Sequence, residues 1–274
     1  MSVNRIEIAA LVSSRLEEAA TEARQNYAAT ESDIGYFVVD NLLPDDLARK
    51  IASAFPAKEA MVAKKSLRER KAIMAQMSEC APLVGEAIYA FHEPAVLNLI
   101  GEITGTPTVE ADPFLYAGGI SAMGRGDFLN PHLDNSHDKD RARWRALNLL
   151  YYVTPDWPET EGGNLELWPA GVGGDAVTIH SRFNRLAVMA THGNAWHSVS
   201  PITAGRVRMC VSNYYFTPEP MTPGDQFHVT TFRGRPEQPI ADVVLRADAI
   251  ARGALRKLKP GGVGRLTHVN GPAS

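Results

Sequence analysis

Among the 274 residues, the pentapeptide Asn130-Pro131-His132-Leu133-Asp134 holds two side chains able to ligate a metal, separated by one residue. On a strand, successive residues alternate between faces, so His132 and Asp134 emerge on the same side. Two ligands on one face can hold one metal. A His-x-Asp triplet is weak evidence alone, because this composition supplies about 0.4 occurrences by chance. His197, at an expected strand end and followed by Arg206 and Arg208, adds what the triplet lacks. Two imidazoles and one carboxylate make a facial triad, which leaves open positions for other ligands.

Such ligands need rigid strands beneath them. From Thr106 onward, short apolar runs are separated by Gly, Pro, Asn and Asp: Phe114 to Met123, Ala146 to Val153, Leu165 to Trp168, Ala176 to Ile179, Leu186 to Ala190 and Arg208 to Phe216. Their regular spacing predicts an antiparallel barrel or sandwich. The first hundred residues read mainly as helix. Apolar positions recur at three and four through Ile8, Leu11, Val12, Leu16 and Ala19, and again through Leu47, Ile51 and Phe55. One strand, Ile34 to Val39, interrupts them, and a charged helix is expected from Ala63 to Met77. Apolar helices follow around Leu83 to Phe91 and Ala95 to Ile103. Beyond Phe216, a strand is expected near Phe227 to Phe232, then a helix from Ile240 to Leu258 and a glycine-containing tail that frays. The expectation is one domain over 1–274: a mainly helical layer to 105, a catalytic core over 106–217 and a C-terminal extension from 218.

Composition narrows the function classes. A formal charge of -3 removes one reason to expect nucleic acid, and 45% hydrophobic residues can fill a large core. Cys80 and Cys210 are too few for a disulfide scaffold. No run reaches the roughly 20 apolar residues of a membrane span, and Arg15, Glu17 and Glu18 break any signal-peptide pattern. A cytoplasmic protein without membrane or nucleic-acid partners is the expectation; oligomeric state is not readable. Gly118, Gly119, Gly124 and Gly126 are spaced as turn or bulge residues, with no helix start to make a phosphate loop.

The segment from Phe114 to Phe216 resembles the prolyl 4-hydroxylase branch of the 2-oxoglutarate and Fe(II)-dependent oxygenases, above all the oxygen-sensing prolyl hydroxylases. The resemblance is carried in order by Leu115 to Gly119, His132 to Asn135, Tyr151 to Trp157, Glu161 to Leu165, Arg182 to Leu186, and His197 to Val199 with the closing strand. It implies a mainly β fold with α: a double-stranded β-helix, the cupin-like jelly roll, with N-terminal helices packed on the major sheet. It implies Fe(II) held by His132, Asp134 and His197, with 2-oxoglutarate and O2 as cosubstrates and ascorbate as an optional reductant. Tyr152 matches a tyrosine that holds the distal carboxylate of 2-oxoglutarate, and Tyr116 one close to it. Either phenol also suits a barrel core.

The distal carboxylate needs a cation, and an Arg fork suits it. Arg206 has the spacing from His197 found in oxygen-sensing prolyl hydroxylases; Arg208 has the better position relative to Tyr214-Tyr215-Phe216. Alternation cannot separate them, and Arg208 is favoured because hairpin loops absorb insertions more easily than strands. Asn148 shares the face of Tyr152, which puts it at the barrel mouth. His137 is expected on an exposed loop, while His180, His192 and His228 are read as structural. Asp134 stands where a related halogenase has Gly or Ala. The expected reaction is hydroxylation of a C–H bond in a small amino-acid-like or natural-product molecule, with succinate and CO2 as co-products. The alternatives are a protein prolyl residue as substrate, a cupin-type metal enzyme without an oxo acid, and a non-catalytic binding module. Enclosure of the mouth by the N-terminal helices and the residues after Phe216 favours a small ligand.

Overall fold

The computed structural model describes residues 3–258 apart from 107 and 223; the tail expected to fray lies outside this range. The chain begins with α1 (Arg5–Thr30), β1 (Tyr36–Val39), α2 (Asp45–Ala54), β2 (Val62–Lys65) and β3 (Glu69–Met74). It continues through α3 (Pro82–Ala90), α4 (Pro94–Thr104), β4 (Glu110–Ala111), β5 (Gly119–Met123), β6 (Phe128–Leu133) and β7 (Trp144–Tyr152). Next come β8 (Leu165–Leu167), β9 (Val177–Ile179), β10 (Arg185–Ala190), β11 (His197–Val199), β12 (Arg208–Thr217), β13 (Thr231–Phe232) and α5 (Pro239–Leu258).

The antiparallel strands run in the order β1-β10-β7-β12-β5-β3-β6-β11-β8-β9, with β2 on β3, β4 on β12 and β13 on β6. Strict alternation divides the long strands. Leu147, Leu149 and Tyr151 of β7, Leu186 and Val188 of β10, and Val211 and Tyr215 of β12 share a core with the helices. Tyr152, Ala187, Met189 and Cys210 face the barrel interior, where they meet Leu165, Leu167 and Ile179 from the opposite sheet. Reversal of side chains at every residue lets one strand serve both cores. This is the jelly-roll arrangement, with helices on the major sheet. Helix α1 contributes Ile8, Val12, Leu16, Ala20 and Ala23 to the outer core, and a capping box between Asn4 and Glu7 fixes its start. Pro94 opens α4 and Gly105, at φ 63°, closes it.

One element differs from expectation. The charged segment Ala63 to Met77 contains the hairpin β2–β3 rather than a helix. Strand β3 pairs with both β5 and β6, and so joins the two sheets along one side of the barrel. Lys, Arg and Glu favour helix intrinsically, but two open strand edges offer this segment backbone hydrogen bonds that override the preference. Ala72 and Met74 are buried while the charged residues between them and the turn stay partly in solvent. The first residue of β5, Gly119, runs so close to the Met74 carbonyl that a Cβ would collide with it, at φ 113°. Cys80 and Cys210 are both free. Among the described residues, no helix is long and apolar enough to cross a membrane.

Candidate active site

His132 lies near the end of β6, and Asp134 follows the strand by one residue. His197, the first residue of β11, sits directly opposite His132 in the register. One ligand atom from each of the three residues falls within 4.8 Å of the others. The Asp134 carboxylate bridges the imidazoles, with His132 Nε2 3.6 Å from Oδ1 and His197 Nε2 3.6 Å from Oδ2. His132 Nδ1 donates to the Asn130 carbonyl at 3.0 Å, and His197 Nδ1 to the Ala195 carbonyl at 2.9 Å. Each ring thus turns the lone pair of Nε2 toward the shared point, the tautomer a metal requires. Burial and the facing His132 push His197 down to about 4, although Asp134 pulls the other way. Burial acts to raise the Asp134 carboxyl, but Arg145 and both imidazoles hold it well below the usual range. At neutral pH the donor set is therefore one neutral His197 imidazole, a second imidazole and a carboxylate, which fits an iron(II) ion. Asp134 Oδ2 has no hydrogen-bond partner in this buried setting, as expected of an atom that ligates a metal.

The triad opens on a cavity of about 290 Å³. Arg208 lines it and is 3% exposed, its guanidinium 4.7 Å from the centre of the Tyr152 ring. Tyr152 is fully buried beneath it, and burial raises its phenol despite the Arg208 charge. Asn148 also lines the cavity, and its Nδ2 donates to the Tyr214 hydroxyl at 3.3 Å. Arg206 is elsewhere. It clips the surface loop at Pro155 and Asp156 through their carbonyls and lies 3.6 Å from Glu161. Tyr116 is half-buried and stacks on His137, with ring centres 6.4 Å apart. Its neighbours Ala117 and Gly118 line the cavity in its place.

Two expectations need correction. His137 is not exposed; it is 2% accessible, wedged between Tyr116 and Phe227. His192 and His228, read as structural, border a small pocket together with Asp134 and His197. The N-terminal helices do not enclose the mouth, since their apolar faces pack on the far side of the major sheet. The hairpin supplies Lys64, Glu69, Lys71 and Ile73 to the cavity wall, and the C-terminal segment supplies Thr230 and Phe232. Phe232 stacks on His132 at 5.1 Å.

Sequence reasoning missed Arg145 and Tyr214. Arg145 is 2% exposed, with Nη1 3.5 Å from Asp134 Oδ2 and its guanidinium 4.0 Å over the Tyr214 ring. Burial and Asp134 together keep the Tyr214 phenol protonated, far above its ordinary range. Alternation from Tyr152 sends Arg145 to the helix side, but Tyr215 pairs with Leu147 and Phe216 with Arg145, so Ala146 is an extra residue in β7. That bulge turns Arg145 into the cavity. Behind His197, a buried polar chain braces β11. Trp168 donates to the Ser198 hydroxyl at 2.9 Å, Ser198 donates to Glu166 at 2.6 Å, and Arg235 donates to Glu166 at 2.8 Å and to the Val199 carbonyl at 2.9 Å.

Residues 118–216 match the family model described as the 2OG-Fe(II) oxygenase superfamily. No curated protein sequence matches the chain. Among solved structures it is similar to a prolyl-4-hydroxylase from Pseudomonas putida, at 20% identity and a TM-score of 0.53, over 71% of this chain and 98% of that one. It is similar to prolyl 4-hydroxylases from Phytophthora capsici at 16% identity and a TM-score of 0.55, over 94% and 79% of the two chains. It is also similar to a Trichoplax adhaerens prolyl hydroxylase, solved with a hypoxia inducible factor oxygen degradation domain peptide fragment, at 19% identity and a TM-score of 0.51, over 73% and 91%. At such identities these likenesses speak to the fold, while the matched segment contains the whole triad. Segment, fold and donor set agree: residues 118–216, which match the 2OG-Fe(II) oxygenase superfamily model, contain the whole His132, Asp134 and His197 triad on a fold similar to that of the prolyl 4-hydroxylases.

Proposed function

We propose that the enzyme hydroxylates an unactivated C–H bond of a small amino-acid-like or natural-product molecule, with His132, Asp134 and His197 holding iron(II) and Arg208 holding the distal carboxylate of 2-oxoglutarate. The observation that carries this reading is the buried Arg208, which shares one 290 Å³ cavity with the converging triad. Iron(II), 2-oxoglutarate and O2 together supply the oxidising power, and the oxo acid leaves as succinate and CO2. The protein's part is positional. The Nδ1–H donors of His132 and His197 fix both rings through backbone carbonyls, and Asp134 stays ionised beside Arg145. Arg208, stacked over Tyr152, presents a planar fork in the wall of the cavity, which suits a carboxylate. Arg206, occupied with loop carbonyls, is a clip for the loop before β8. Leu129, Leu150, Leu165, Val199 and Phe232 give the cavity apolar walls that exclude water once substrate is seated. A cavity of this size lies at the low end for small-molecule sites and must hold cosubstrate as well, which favours a small substrate over an extended peptide.

The test is anaerobic addition of Fe(II) and 2-oxoglutarate, which is expected to give the visible charge-transfer band of the ternary complex, followed by a screen of succinate formation with free amino acids, small heterocycles and Pro-containing peptides. Absence of the band removes the assignment of the metal and cosubstrate residues. Coupled hydroxylation of a peptide alone moves the substrate to a protein prolyl residue.

A further inference from the structure

Arg208 and Arg145 stand at opposite ends of the same sheet face. Arg208 is the first residue of β12, whereas Arg145 of β7 pairs with Phe216 near the other end of β12. Eight residues of strand separate these positions, on the order of 25 Å along the backbone. A single small anion does not reach both, so the donors of the second buried guanidinium that Asp134 does not face need a partner of their own.

The donor pattern of Arg145 identifies that partner. Nη1 faces Asp134, while Nε and Nη2 have no hydrogen-bond partner although the side chain is 1% exposed and lines the cavity. Nε and Nη2 form the outer edge of the guanidinium, where two N–H bonds run parallel at the spacing of two carboxylate oxygens. The plane is held by the Tyr214 ring at 4.0 Å and the Phe216 ring at 5.9 Å, so the edge is fixed before any ligand arrives. A neutral amide carbonyl satisfies one of these donors; a carboxylate satisfies both. Next to it, Asn148 spends Nδ2 on Tyr214 and leaves Oδ1 without a donor, an acceptor suited to an amine N–H on the same ligand.

The charge of the wall agrees. Lys64, Lys71, Arg145 and Arg208 line the cavity together with Glu69 and Asp134, and Lys71 pairs with Glu69 at 3.0 Å. Dianionic 2-oxoglutarate offsets the charge of iron(II), so the wall keeps a surplus of two positive charges, and Lys64 and Lys71 on the hairpin draw anions to the mouth.

We infer that the substrate carries a free carboxylate, bound side-on by Nε and Nη2 of Arg145, with its amine directed to Asn148 Oδ1. This rests on the proposed function and narrows it to free amino acids, against residues within a peptide. Atoms on such a substrate beside the carboxylate then lie next to Asp134 and the metal position, because Arg145 contacts Asp134 through its remaining nitrogen.

The test uses the full chain with Fe(II) and 2-oxoglutarate under anaerobic conditions. The proteinogenic L-amino acids and L-pipecolate are titrated against the visible band of the ternary complex, each alongside its primary amide. At least one acid is expected to perturb the band, and its amide to require about 10- to 150-fold more, the worth of a charge-assisted hydrogen bond. In Arg145→Gln that ratio falls toward one, and in Arg145→Lys, which keeps the charge and loses the fork, it is intermediate. The ratio is internal to each variant, so a change in overall activity does not disturb it. Amides that perform as well as acids, no acid that perturbs the band, or discrimination preserved in Arg145→Gln overturns the inference. Failure of the band to form is a different result and removes the iron and 2-oxoglutarate reading itself.

Discussion

Replacement of Arg208 by Ala is the sharpest probe of the cosubstrate end. Arg208 is 3% exposed, stacks on a fully buried Tyr152 and lines the triad cavity, so a carboxylate bound to it is removed from bulk water. Loss of one partner from such a desolvated pair costs about 2 to 5 kcal/mol, because the remaining charge stays buried and unpaired. A Coulomb estimate at 4 Å and an effective dielectric of 20 gives about 4 kcal/mol, within that range. Each 1.4 kcal/mol is tenfold, so the dissociation constant for 2-oxoglutarate should rise by roughly 30- to several-thousand-fold. Arg206→Ala removes an exposed side chain held by loop carbonyls and Glu161, and should change the constant less than threefold, about 0.6 kcal/mol, typical of a surface pair. The assay is anaerobic titration of 2-oxoglutarate at saturating Fe(II), read by the visible band. The opposite ranking refutes the assignment of Arg208.

Three further outcomes are expected. His132→Ala, Asp134→Ala and His197→Ala should each lose bound iron and 2-oxoglutarate consumption while keeping the far-ultraviolet dichroism; any variant with near-normal consumption at limiting iron loses its place in the triad. Asp134→Ala should also melt lowest of the three, since Arg145 is left as a buried charge without its carboxylate. The metal-free protein should weaken in acid. Between pH 6.5 and about 4 the unfolded chain binds the His197 proton and the folded chain does not, so stability falls as pH falls through this window, by at most about 3 kcal/mol; urea unfolding at two pH values should show a slope that His197→Gln diminishes. Gly162→Ala should cost about 2 to 5 kcal/mol, because a Cβ at φ 74° collides with the Pro201 carbonyl, whereas Gly126→Ala, at φ 78° with open space around it, should cost only about 1 to 2 kcal/mol by thermal melting.

The sequence made the ligands and long strands legible for different reasons. His132, Asp134 and His197 stood out by chemical type, and β7, β10 and β12 by apolar residues on both faces, as a strand shared by two cores requires. The hairpin β2–β3 was hidden because Lys64, Lys71 and Glu69 are helix formers whose placement is decided by the edges of β5 and β6, far away in the chain. Arg145 was hidden because alternation is a count, and one extra residue at Ala146 reverses it. Tyr214 read as one of three aromatics closing a strand, with nothing local to mark its hydroxyl as a neighbour of Asn148. His137 read as a loop residue because its aromatic partner Phe227 arrives from the C-terminal segment.

That segment makes the surroundings of the triad depend on residues far beyond it in the chain. All three triad residues precede residue 200, yet β13 covers the edge of β6, Phe232 lies flat against His132, and Arg235 completes the Glu166–Ser198 chain behind His197. Helix α5 in turn anchors this cover to the hairpin through Arg68 and Asp248 and to Thr230 through Arg252. A chain cut after β12 would keep every ligand and both sheets while losing the parts that hold two of those ligands in orientation. Loss of that segment would free an edge of β6 and uncover one face of the His132 ring while all three triad residues stayed on their own part of the chain.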